Sequence, residues 1–192
     1  LVEQRGHWRV NADGTDAFIG LQRIQLAFSC NPPTDAGRVP LPARFLRHAP
    51  LLLVDSPTAD ALRQIYATFA RALLRPMASL HHCAAPLVDA MIHVYEASRV
   101  ELRAESHAHY IYSPRELSRW IRALYAALQR SGAGGDAEDG GATDGTRATP
   151  TPSLLVRLWA HEGLRLFHDR LVTQSERDWT LALVTATAER HF

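Results

Sequence analysis

The chain has 192 residues, 46% of them hydrophobic and 21% charged, with a formal net charge of +1. That suits one domain with a sizeable core or two small ones, and it excludes a partner recruited by bulk charge, so neither a nucleic acid nor a membrane surface is expected. No apolar run is long enough to span a bilayer, no leader pattern is visible, and two cysteines are too few for a disulfide framework, which fits a reducing, cytosolic compartment.

All 21 basic residues are arginine. Chemistry that needs an amine is therefore absent, including a Schiff base and the lysine of a G-x-x-x-x-G-K-[ST] phosphate loop. Codon bias is the simplest source of such a chain. It opens on Leu1 and its methionines are Met77 and Met91, so it reads as a piece of something longer.

In chain order, "LVEQRG" resembles a helix tail stopped by Gly6. "HWRV" and "FIGLQ" flank an Asp13-Gly14 turn signal and predict a hairpin. "RIQLAFSC" and "APLLLVD" each predict a short buried strand, with Cys30 buried and inert in the first. Two such strands cannot satisfy their own edges and need partner strands.

Ser56 as N-cap and Pro57 at the first position open a helix with Leu62, Ile65, Phe69, Leu73 and Leu74 on its apolar face, ended by Pro76. A second helix starts at Pro86 and carries Leu87, Met91, Val94 and Tyr95 on one face. Ser113, Pro114 and Glu116 make a strong start for a third, with a capping box. Residues 131–149 hold six of the eleven glycines and four acids, and predict a disordered loop. A long amphipathic helix follows Pro152, and a last helix begins near Ser175. The pattern is an α/β end followed by a run of helices.

One loop concentrates unusual chemistry. Between the two predicted strands lie Asn31, Arg38, Arg44 and Arg47. Arginine is costly to bury unpaired and belongs where a planar donor fork meets a carboxylate or a phosphate. In α/β sheets, ligands collect at the carboxyl ends of strands, where Asn31 would stand. Arg115 falls in the first turn of a capped helix, where its charge opposes the helix dipole unless an anion offsets it. From the residues alone, Asn31 also reads as a loop cap, Arg47 as a surface ion-pair partner, and Arg115 as a partner of Glu116 or part of a solvated first turn.

Other clusters carry less. His81-His82-Cys83 and His107/His109 match no closed zinc pattern, so no metal is expected. "HEGLR" at His161 and Glu162 lacks the second histidine of H-E-x-x-H, and helix-face packing fits it better. Trp120, Trp159 and Trp179 read as core anchors.

"CNPPTDAGRVPLPARFLRHAPLLLVDSP", "HYIYSPRELSRWIRALYAAL" and "LLVRLWAHEGLRLFHDRLV" resemble cytoplasmic dynein heavy chains, specifically the third AAA+ module of the motor ring. The resemblance covers nearly the whole chain, from after the Walker B strand through the small domain to the link with the next module. It implies residues 1–56 as the end of an α/β large subdomain, with a pre-sensor hairpin and last core strands. It implies 57–130 and 150–192 as the all-α small, or lid, subdomain. Asn31 matches sensor I, which positions the attacking water. Arg47 matches the arginine finger, reaching the preceding module's nucleotide, with Arg44 as its nearest rival. Arg115 matches sensor II, which touches the module's own γ-phosphate.

The same resemblance implies ATP or ADP with Mg2+ in the intact module, with none expected for this piece alone. It implies neighbouring AAA+ modules as partners, and intermediate chains, light chains and microtubules engaged through other regions. Location would be cytoplasmic, on the cytoskeleton, in minus-end-directed movement. A finger that completes a working site is worth roughly a thousandfold or more. Ala36 and Val39 depart from the family's common Pro and Lys, and the 131–149 tract is longer than usual. No Walker A or Asp-Glu pair is present, so this piece should not hydrolyse ATP alone. The competing reading is a non-catalytic helical module that docks on another subunit. A different ring-forming ATPase is a weaker third.

Overall fold

The two predicted hairpin segments pair as expected. In the computed structural model, which describes residues 2–31, 38–130 and 150–192, β1 (Gly6–Val10) runs antiparallel to β2 (Asp16–Gly20), with Trp8 opposite Phe18. The two rings meet edge-on, centroids 5.3 Å apart, a cross-strand pair that favours this register. Gly14 adopts φ +82°, a conformation that glycine takes without strain. The Asp13 carboxylate accepts from both the Thr15 hydroxyl and its backbone N–H, at 2.7 and 3.0 Å, and these bonds hold its pKa below the usual value.

The hairpin belongs to one of two units, Leu1–Asp55, and the helices to the other, Ser56–Phe192. Among the described residues of the first unit the remaining element is a single turn of helix, α1 (Ala43–Leu46). Three expectations are corrected here. Residues 2–5 form a turn rather than a helix tail, with Arg5 at φ +48°. Residues 24–30 and 49–55 form no strand, and Leu51, Leu52, Leu53 and Val54 are 71–88% exposed. Cys30 is exposed rather than buried. The reason is common to the last two. A strand's backbone groups need a neighbouring strand, and the one ladder among the described residues is β1–β2.

The second unit closes its own core. α2 (Ala59–Leu74) leads through a 3-10 segment (Ala78–Cys83) into α3 (Ala84–Glu101), and α4 (Pro114–Arg130), α5 (Pro152–Phe167) and α6 (Gln174–His191) complete the bundle. α2 packs on α3, α3 on α6, α4 on α5, and α5 on α6. Leu74, Leu87, Met91, Trp120, Leu124, Leu155, Trp159 and Phe167 are fully buried. Each such side chain contributes roughly 1.5–3 kcal/mol relative to exposure. Trp120 and Trp159 stack with centroids 5.3 Å apart, and Trp120 Nε1 donates to the Trp159 carbonyl at 3.0 Å. A Cβ added at Gly163 would lie 2.3 Å from the Trp120 ring, so only glycine admits this close approach of α5 to α4.

α2 begins two residues later than expected. Thr58, not Ser56, is the N-cap, and its Oγ1 accepts from the Ala61 N–H. Ile65 and Phe69, expected on the apolar face of α2, are 46% and 54% exposed. Trp120 and Trp159 are core anchors as expected, and Trp179 packs partly buried against the same core. The glycine-rich tract 131–149 and the Pro32-Pro33 loop lie outside the described residues.

Candidate functional site

The four residues of interest fall in two separate settings. In the first unit, α1 carries Arg44, and Arg47 is its C-cap. Both guanidinium groups converge on one carboxylate, Glu3. Arg47 Nη2 donates to Glu3 Oε1, while Arg44 Nη2 stands 3.6 Å from Glu3 Oε2. Arg47 Nε also donates to His48 Nε2 at 3.1 Å. Of the two rivals, Arg47 makes the close contact. Side-chain exposure is 56% for Arg47 and 49% for Glu3, so the pair stands in a solvated setting, where ion pairs are weak. Glu3 is 44 positions from Arg47 and had no local signal in the sequence.

Asn31 is exposed, in irregular backbone, at the edge of the undescribed residues 32–37. The strand expected to present it does not form here.

Arg115 occupies the first turn of α4. Its side chain is exposed and forms no ion pair among the described residues. The helix start beneath it is tightly built. The buried Glu116 carboxylate accepts from the Ser113 N–H at 2.8 Å and from its hydroxyl at 3.0 Å, which is one half of the expected capping box. The Ser113 oxygen in turn accepts from the Arg115 N–H at 3.3 Å. Tyr66 reaches over from α2, donating to the Pro114 carbonyl at 2.6 Å and meeting the Ser118 hydroxyl at 2.9 Å. Burial raises the Tyr66 phenol pKa, with the Ser118 hydrogen bond opposing it. Glu116 therefore serves Ser113 rather than Arg115, and the Arg115 guanidinium is exposed, as in a solvated first turn. Fixing a free cation at a helix N-terminus costs some stability, which an anion there would offset.

No group of three metal-ligating side chains exists among the described residues. His81 and His109 bond backbone carbonyls, at 3.0 and 3.1 Å. Cys83 is buried, which raises its thiol pKa, and its sulfur lies 3.4 Å from His82 Nε2. Glu162 is buried on α5 and accepts from Arg165 at 3.1 Å. No helix among the described residues is long and apolar enough to cross a membrane.

Comparison with known proteins bears on this arrangement. Residues 69–177, which include Arg115, match the family model of the dynein heavy chain ATPase lid domain. The cytoplasmic dynein heavy chain of Dictyostelium discoideum is 49% identical over 192 residues, all of this chain and 4% of that protein. That of Drosophila melanogaster is 44% identical over 196 aligned positions, with the same coverage. A dynein heavy chain-like protein of Plasmodium falciparum is 40% identical over 181 residues, covering 94% of this chain and 3% of its own length. The chain thus spans a small fraction of the relatives it matches. With a family model covering more than half of its residues, and with Arg115 set on a capped lid helix within the match, this chain belongs to the dynein heavy chain family and carries its ATPase lid domain.

Proposed function

We propose that this chain forms part of the third AAA+ module of a cytoplasmic dynein heavy chain, an ATP-driven microtubule motor, and that the module regulates rather than powers movement. One observation carries the reading. Arg115 is exposed and outside any ion pair among the described residues, yet its helix start is fixed by Ser113, Glu116 and Tyr66. An unpaired guanidinium carried on a fixed helix start suits a phosphate oxygen.

In this reading Arg115 meets the γ-phosphate of its own module from the lid. Arg47 reaches the nucleotide of the preceding module, and Asn31 orients the attacking water. Arg47 must then exchange Glu3 for a phosphate, and an exposed ion pair worth about 0–1 kcal/mol permits that exchange. ATP or ADP with Mg2+ belongs to the intact module. The donors here, arginines and an amide, fit phosphate oxygens. The chain has no Asp-Glu pair after an apolar strand, so oxygen ligands for the metal come from other residues of the module. Neighbouring AAA+ modules are the immediate partners, and microtubules and the accessory chains are met through other regions, in the cytoplasm.

The test is Arg115→Ala in the intact heavy chain with its other nucleotide sites disabled. Affinity for a fluorescent ATP analogue should fall about tenfold, as loss of a charge-assisted hydrogen bond implies. Unchanged affinity would overturn the role. A second reading, a non-catalytic module docking on another subunit, is favoured by the exposure of Ile65 and Phe69 on α2. It predicts that Arg115→Ala changes nothing, whereas Phe69→Ser abolishes an interaction.

A further inference from the structure

The turn between α5 and α6 and the segment leading into α4 are fastened to each other residue by residue. Arg170 Nη2 donates to the His109 carbonyl, and Arg170 Nη1 reaches the Ile111 carbonyl at 3.4 Å. The guanidinium carbon sits 4.8 Å from the centroid of the Tyr112 ring, within cation–π range. In return, His109 Nε2 lies 3.1 Å from the Arg170 carbonyl oxygen. The buried Tyr110 hydroxyl accepts from the Val172 N–H at 2.9 Å and donates to Glu176 at 2.8 Å. Tyr112 stacks on Phe167, the last residue of α5, with centroids 5.7 Å apart and planes 5° from parallel.

Every residue from 109 to 112 is thereby held by a residue between 167 and 176. Ser113 follows at once, and Arg115 stands two residues further on. A lysine could place a charge over Tyr112, but it lacks the planar fork that spans two carbonyls.

We propose that Arg170 is a positioning residue for Arg115. It locks the 109–112 segment to the α5–α6 turn, so that the start of α4 moves as one body with α6. The inference rests on the reading of Arg115 as a phosphate contact. Its functional content is coupling: a displacement of α6 is delivered to the guanidinium at the nucleotide, and nucleotide binding at Arg115 is felt at α6. Linkage makes the two effects equal.

The experiment is a double-mutant cycle in the intact heavy chain with its other nucleotide sites disabled, read by titration with a fluorescent ATP analogue. Arg115→Ala should weaken binding about tenfold, Arg170→Gln about three- to tenfold, and the double variant no more than Arg115→Ala alone. Arg170→Lys should fall between wild type and Arg170→Gln. If the two losses multiply, Arg170 acts independently of Arg115 and the proposal is overturned. If Arg170→Gln leaves affinity unchanged while Arg115→Ala weakens it, the proposal falls and the phosphate role stands. If Arg115→Ala has no effect, both fall. Amide hydrogen exchange in the Arg170 variants should rise at 109–113 and stay unchanged in α3. Loss of protection throughout α3 would make Arg170 an ordinary structural residue and overturn the proposal.

Discussion

The two units of this chain treat apolar residues in opposite ways. In Leu1–Asp55, the run Leu51–Val54 is 71–88% exposed. In Ser56–Phe192, Leu74, Leu87, Trp120 and Trp159 are fully buried. The contrast lies in backbone bookkeeping rather than in hydrophobicity. A helix closes its hydrogen bonds within its own segment, so an amphipathic one needs only another face to pack on. A strand needs a second strand before its apolar side chains can be ordered. The helical unit therefore has a core of its own, and the first unit, among its described residues, has a hairpin and one turn of helix.

The sharpest way to break that contrast is to open the helical core. Trp120→Ala removes a buried indole, its stack on Trp159 and its hydrogen bond to the Trp159 carbonyl. It should cost about 3–5 kcal/mol, seen as a large drop in the denaturant midpoint of the helical signal. An unchanged midpoint would mean that the bundle is not one cooperative core. Gly163→Ala comes next. Its Cβ would sit 2.3 Å from Trp120 Cζ2, and the rigid ring cannot yield as a flexible side-chain end would. About 1–3 kcal/mol of destabilisation is expected from overpacking, although alanine is the better helix former. A gain in melting temperature would contradict the packing.

How much of this was legible follows from the same contrast. The helical unit was read from local signals: period, caps and prolines. Ser113 and Glu116 marked the start of α4, and Trp120 and Trp159 fell on its core as expected. Ser56-Pro57 and Thr58 offer competing caps two residues apart, and α2 starts from the second. The start of α6 at Gln174 lies next to the expected Ser175, and the Thr173-x-x-Glu176 capping-box signature marks it. The apolar runs of the first unit predict strands that do not form, because an apolar run reports burial only when a partner strand is available. Glu3 and Arg170 gave no sequence signal, since each meets partners dozens of residues away.

The capping box of α6 tests a middle-sized effect. Thr173 Oγ1 accepts from the Glu176 N–H at 3.3 Å, and the Glu176 carboxylate accepts from the Thr173 N–H at 3.0 Å and from the Tyr110 hydroxyl. Thr173→Ala should cost about 1 kcal/mol. The Thr173 hydroxyl, followed by Tyr110, lowers the Glu176 pKa from its reference value of 4.5. A depressed carboxyl stabilises the fold above its unfolded pKa, and the contribution is lost as pH falls through the folded value. Stability should therefore decline below about pH 4.5, and Glu176→Gln should flatten part of that decline. An acid limb identical in both proteins would remove Glu176 from the account.

The smallest stability effect belongs to the first unit, and it is the most informative about function. Glu3 meets Arg47 closely and Arg44 at 3.6 Å, with all three side chains about half exposed or more. Glu3→Gln should change stability by less than about 1 kcal/mol, and raised salt should erase even that. Under the proposed finger role of Arg47, in the intact heavy chain it should nevertheless alter nucleotide turnover at the preceding module, because it releases the fork of Arg47 from a competing carboxylate. Arg47→Ala should lower that turnover, and Arg44→Ala should leave it near wild type, because Arg44 touches the shared carboxylate only at long range. Equal losses for Arg44→Ala and Arg47→Ala would show that the unit presents a patch of positive charge rather than one aimed guanidinium. An effect confined to Arg44→Ala would reverse the assignment between the two arginines.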